Sequence, residues 1–165
     1  MPTDPEFHRL PKKKKAYIIH QKFMMDDTKS SIKYSIGGLA DSELYTYVSE
    51  DALVWLKQNM PEVVSPNGIR HQGAYSKNIR IEHAVPSKLV YDYLQQLKGM
   101  GKLTEKSIED LLDGTLICAL ITAEEDARLN KLGVNHKMPD GKPFTECEPL
   151  CRYKAADIKI HKFQG

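Results

Sequence analysis

One segment limits what this chain can fold into more than any other. Thr115-Leu116-Ile117-Cys118-Ala119-Leu120-Ile121 is a nearly continuous apolar run, followed at once by Thr122-Ala123-Glu124-Glu125. An apolar run without polar alternation reads as a strand buried on both faces. Thr122 and Glu125 have the spacing of a capping box, in which each side chain satisfies the other's backbone N–H. A short helix therefore begins where the strand stops, runs to Leu132 and leaves at Gly133.

The remaining elements are placed around that unit. Asn78-Ile79-Arg80-Ile81-Glu82-His83 alternates apolar residues at 79 and 81, which predicts a second strand ending near the histidine. Pro86 starts a helix whose Leu89, Val90, Tyr93, Leu94 and Leu97 share one face, with Gly99 and Gly101 at its exit. A helix from Thr104 carries Ile108, Leu111 and Leu112 and closes at Asp113-Gly114. Ser49 caps a helix over Ala52, Leu53, Trp55 and Leu56 that Pro61 stops.

Nearer the start, Ala16-Tyr17-Ile18-Ile19, Ile32-Lys33-Tyr34-Ser35-Ile36 and Leu44-Tyr45-Thr46-Tyr47-Val48 are rich in Tyr and Ile and predict an N-terminal antiparallel sheet. Asp26-Asp27 and Gly37-Gly38 mark its turns. Ile158–Phe163 is a last strand candidate. Residues 1–15, ending in Lys12-Lys13-Lys14-Lys15, read as a flexible basic leader. The expected architecture is one α+β domain over residues 16–165.

Composition narrows the function. Lys and Arg total 24 against 22 Asp and Glu, a net charge of +2, so any nucleic-acid surface must be a local patch. No apolar run approaches the roughly 18 residues of a spanning helix. Three cysteines, 118, 147 and 151, are too few and too odd for a disulfide scaffold, and they predict a reducing, cytoplasmic setting. Cys147 and Cys151, with His136 and His161, lack a second close pair of ligands, so zinc is not expected.

Glu82-His83-Ala84-Val85-Pro86 closes a strand, and a second strand and a capped helix carrying Asp126 and Asn130 follow. In that order and over about residues 78–133, the chain resembles the HNH, or ββα-metal, nuclease superfamily. The resemblance implies a ββα-metal core and a divalent-metal-dependent endonuclease that hydrolyses DNA. It implies His83 as the general base that takes a water's proton. It makes Glu82 a ligand for Mg²⁺ or Mn²⁺, completed from the helix by Asn130 or Asp126, since hard oxygen donors suit such a cation. Glu125 is one residue off that face and engaged in the cap. Arg80 lies on the Glu82 side of its strand, where it would pair with Glu82 or bind the scissile phosphate.

Basic residues flank the motif. Lys77 precedes it, Arg128, Lys131 and Lys137 accompany or follow the helix, and Arg70, His71, Arg152, Lys154 and Lys159 lie further out. Gathered on one side they would hold a duplex by its phosphates, with Tyr75 and Tyr153 as stacking residues. RNA as substrate and a homodimer as the acting form stay open. So does a different class of function, a non-catalytic nucleic-acid- or protein-binding module on the same scaffold.

Overall fold

The expected N-terminal sheet does not form, because its first two segments are helices. The computed structural model describes residues 12–38, 47–62, 77–115 and 117–163. In it α1 spans Lys12–Met24 and α2 spans Lys29–Gly38. Ala16, Ile19 and Phe23 lie three and four residues apart and are all buried, as are Ile32 and Ile36. Burying those stripes against neighbouring helices outweighs the strand preference of Tyr and Ile. The Asp26-Asp27 turn holds: Asp26 takes a positive φ of 51°, and Thr28 Oγ1 caps α2 by accepting from Ser31 N at 3.1 Å.

The end of the expected leader is also helical. Lys12–Lys15 form the first turn of α1, with Lys12 Nζ 2.8 Å from Asp113 Oδ1 and Lys15 buried. Residues 1–11 lie outside the described residues. Gly37 and Gly38 end α2 instead of forming a turn between strands. Of the third expected strand, Tyr47 and Val48 belong to β1 (Tyr47–Ser49), and Leu44–Thr46 lie outside the described residues.

Most of the other elements fall close to where their local signals put them. No signal marked the helix at Cys151–Ala155, and the helix expected to close at Asp113-Gly114 runs on through Thr115, so that the strand after it begins only at Cys118. Ser49 caps α3 (Glu50–Asn59), its Oγ accepting from Ala52 N at 3.0 Å. Then come β2 (Ile79–His83), α4 (Ser87–Gly99), α5 (Glu105–Thr115), β3 (Cys118–Thr122) and α6 (Ala123–Lys131). Short 3₁₀ turns at Pro139–Gly141 and Phe144–Glu146 lead to α7 (Cys151–Ala155) and β4 (Ile160–Lys162). The capping box forms on α6: Thr122 Oγ1 accepts from Glu125 N at 3.1 Å, and Glu125 Oε1 accepts from Thr122 N at 2.8 Å. Gly133 follows with φ 71°, the left-handed exit a helix end favours.

The fold is α+β around one mixed sheet in the order β2-β3-β1-β4. β2 runs antiparallel to β3, β3 parallel to β1, and β1 antiparallel to β4. On one face Ala119 and Ile121 pack with Leu129 of α6 and with Tyr153 and Ala156 of the α7 region. On the other, Val48, Ile79 and Leu120 pack with Ala52 and Leu56 of α3. A third cluster joins α1, α2, α4 and α5, and Val85, two residues after His83, belongs to it. The end of β2 therefore sits where the sheet meets the helical layer.

Candidate active site

β2 is an edge strand paired with β3 in the register Ile79↔Thr122, Ile81↔Leu120 and His83↔Cys118. Side chains alternate along a strand. Arg80 and Glu82 thus stand opposite Ile121 and Ala119 on the α6–α7 face. Ile79, Ile81 and His83 share the opposite face with Leu120 and Cys118.

Glu82 meets both helices on its side. Its Oε1 lies 2.7 Å from Nη1 of Arg152 on α7. Burial pushes the Glu82 carboxyl above the usual range; Arg152 pulls it back in part, and the charge of Asp126 on α6 pushes it up again. Arg152, counted among the surface cations by sequence, is completely buried. Its Nε donates to Val134 O at 2.6 Å, Nη1 to His83 O at 2.7 Å and Ala84 O at 3.3 Å, and Nη2 to Asn135 O at 3.1 Å. One guanidinium thus ties the end of β2 to the loop beyond α6 and pairs with Glu82. Tyr153 is buried too, so it cannot stack on a base; its hydroxyl lies 3.5 Å from Glu82 O.

Asp126 is half-buried and Asn130 exposed on the next turn of α6, so the structure brings Glu82 and Asp126 into one electrostatic neighbourhood. Glu125 is buried and committed. Besides its role in the capping box, its Oε1 accepts from Ser49 Oγ at 2.5 Å, which joins the caps of α3 and α6. His83 turns the other way. Its Nδ1 lies 3.1 Å from Cys118 Sγ, and Gly37 of α2 closes over the opposite edge of the ring. A Cβ on Gly37 would stand 3.1 Å from His83 Nε2 and 2.6 Å from Ser87 Oγ, so a larger residue there would force the Ser87 hydroxyl and the imidazole to shift.

The cations divide. Lys77, Lys131 and Lys137 are exposed. Arg128 is engaged in structure, with Nη1 donating to Ala156 O at 3.1 Å and Asp157 O at 3.2 Å. Arg70, His71 and Tyr75 lie outside the described residues. None of Cys118, Cys147 and Cys151 is joined in a disulfide. Among the described residues no three His, Cys, Asp or Glu side chains come together as a metal-holding group, and no helix is long and apolar enough to cross a membrane.

Sequence reasoning missed Arg152, Cys118 and Gly37. A signal existed for the first, since Arg152 lies in Leu150-Cys151-Arg152-Tyr153, an apolar setting for a charge. The other two required the strand register and the packing of α2. In comparison with known proteins, no family model, curated protein or solved structure matches the chain.

The raised Glu82 carboxyl has a consequence for stability. A carboxyl that binds its proton more tightly when folded contributes stability that is fully present below its unfolded pKa and is lost as pH rises through its folded one. Urea midpoints of the wild type should therefore fall, relative to Glu82→Gln, between the ordinary glutamate range and the raised value. Parallel profiles for the two proteins across that window would remove burial as the dominant influence on Glu82.

Proposed function

We propose that the protein is a divalent-metal-dependent endonuclease that hydrolyses phosphodiester bonds of DNA, with β2, β3 and α6 as its ββα-metal core. The observation that carries this reading is the placement of Glu82, at the end of an edge strand, within the field of Asp126 on the helix that directly follows β3. His83 is the next residue, so a backbone lying along the β2 edge meets both.

The donors fit a hard cation. Glu82 and Asp126 offer carboxylate oxygens, and Asn130, four residues beyond Asp126 on the same helical face, offers an amide oxygen. Among the described residues no third His, Cys, Asp or Glu joins them, so that amide would be the third protein donor. Bound there, Mg²⁺ or Mn²⁺ would stabilise the charge that develops on the leaving oxygen. His83 accepts the proton of the attacking water. Arg152 holds Glu82 and the strand end in place. Lys131 and Lys137 offer exposed charge to flanking phosphates.

Plasmid DNA incubated with the full chain and Mg²⁺ or Mn²⁺ should be nicked or linearised, and EDTA should stop the reaction without unfolding the protein by circular dichroism. A folded protein that cuts neither plasmid nor structured RNA with either metal would overturn the reading. Retained binding in that case would identify a binding module on this scaffold.

A further inference from the structure

A thiol within hydrogen-bond distance of an imidazole is the usual arrangement of a cysteine nucleophile and its base. Here it cannot serve that purpose. Cys118 is completely buried in β3, between strands on both sides, and a nucleophile must reach its substrate. The pair is nonetheless well built. His83 and Cys118 are register partners on the same face of the sheet, with Nδ1 and Sγ 3.1 Å apart. The far edge of the ring is held by the close approach of Gly37, where an added Cβ would fall 3.1 Å from Nε2 and 3.4 Å from Cε1. The imidazole is fixed between β3 and α2, with Nδ1 turned toward the buried sulfur.

We propose that Cys118 is the positioning residue of His83: its sulfur accepts the Nδ1–H of the neutral imidazole and holds the tautomer that carries its lone pair on Nε2. Nδ1, facing a buried side chain, is the wrong atom to receive a proton from water. A base that works through Nε2 needs its other nitrogen protonated and oriented, the part that a carboxylate or carbonyl plays for other functional histidines. The sulfur would also accept the same N–H once the ring becomes an imidazolium. The contact fixes which nitrogen meets the sulfur; the direction of the hydrogen bond, and with it the effect on hydrolysis, rests on the nuclease reading above.

The test uses the full chain labelled with ¹⁵N-histidine, in alkaline buffer where imidazole side chains are neutral. His83 is assigned by comparison with His83→Gln. Long-range ¹H–¹⁵N spectra should show a protonated Nδ1 and an unprotonated Nε2. Cys118→Val, of similar size without the acceptor, should shift His83 toward the Nε2–H form that free imidazole side chains favour, and Cys118→Ser should restore the wild-type pattern. On plasmid, Cys118→Val should lower kcat by about 10–100-fold with KM little changed, and Cys118→Ser should recover most of the loss.

A wild-type Nε2–H tautomer, or a spectrum unmoved by Cys118→Val, overturns the proposal. So does a Cys118→Val enzyme that cuts at the wild-type rate. If Cys118→Val does not fold, the wild-type tautomer and the Cys118→Ser spectrum decide. A wild type that cuts nothing but shows the Nδ1–H tautomer keeps the positioning role and sinks the nuclease reading alone.

Discussion

On the nuclease reading proposed above, replacing His83 by alanine should lower the rate of metal-dependent cleavage by roughly 10²–10⁴-fold, the usual contribution of a positioned general base. The loss should appear in kcat. The base acts on water, so binding of DNA should change little, and KM should stay close to that of the wild type. Folding should survive, because His83 is only partly buried and the strand around it keeps its pairing with β3. Divalent cation binding, followed by calorimetry, should also persist, since His83 faces away from Glu82 and α6. A variant that cuts within about tenfold of the wild type would remove His83 from the role of base.

Arg152→Met should destabilise the fold by about 3–5 kcal/mol, read from urea unfolding. Arg152 is fully buried, and its removal leaves four backbone carbonyls and the Glu82 carboxylate without their donor. Each unsatisfied buried acceptor carries a desolvation cost that apolar packing does not offset. Arg152→Lys should recover little, because an ammonium lacks the planar fork that reaches carbonyls on two segments at once. A loss below about 1 kcal/mol in Arg152→Met would mean that those carbonyls find water and that the guanidinium is not the clamp its contacts describe.

The parts of the fold legible in the sequence are those fixed within a few residues. Ser49, Pro86, the Thr122–Glu125 box and Gly133 each satisfy or end a helix locally, and α3, α4 and α6 follow from them. The alternation of Ile79 and Ile81 and the apolar run before Thr122 fixed β2 and β3 in the same way. The N-terminal helices were hidden because Tyr17-Ile18-Ile19 and Ile32–Ile36 look like strand locally. What makes them helical is burial of Ala16, Ile19, Phe23, Ile32 and Ile36 in a cluster supplied by α4 and α5, which no short window contains.

The candidate site shows the same division. Glu82 and the Asp126–Asn130 face were readable from periods of two and four residues. That adjoining residues 82 and 83 point to opposite faces is also contained in the alternation. The partners that hold them are not: Arg152 comes from 70 positions later in the chain than Glu82, and Cys118 from 35 later than His83.

The strand order has a temporal side. Glu50, at the start of α3, meets His161 of β4 across 111 positions of chain, with Oε1 and Nε2 2.8 Å apart. β1 lies between β3 and β4, so both of its hydrogen-bonding edges wait for segments made much later. At synthesis rates of 5–20 residues per second, that wait is roughly 6–22 s. Through this interval Val48 and the α3 face that packs on it have no finished sheet to cover them. The helices α1 and α2 pack chiefly on α4 and α5, with Met138 and Phe144 completing their cluster later, so most of that layer can close first. The nascent chain can thus pass through a period in which most of its helical layer is assembled and its sheet is still a set of open edges, the state in which an unpaired strand is most exposed to a wrong partner.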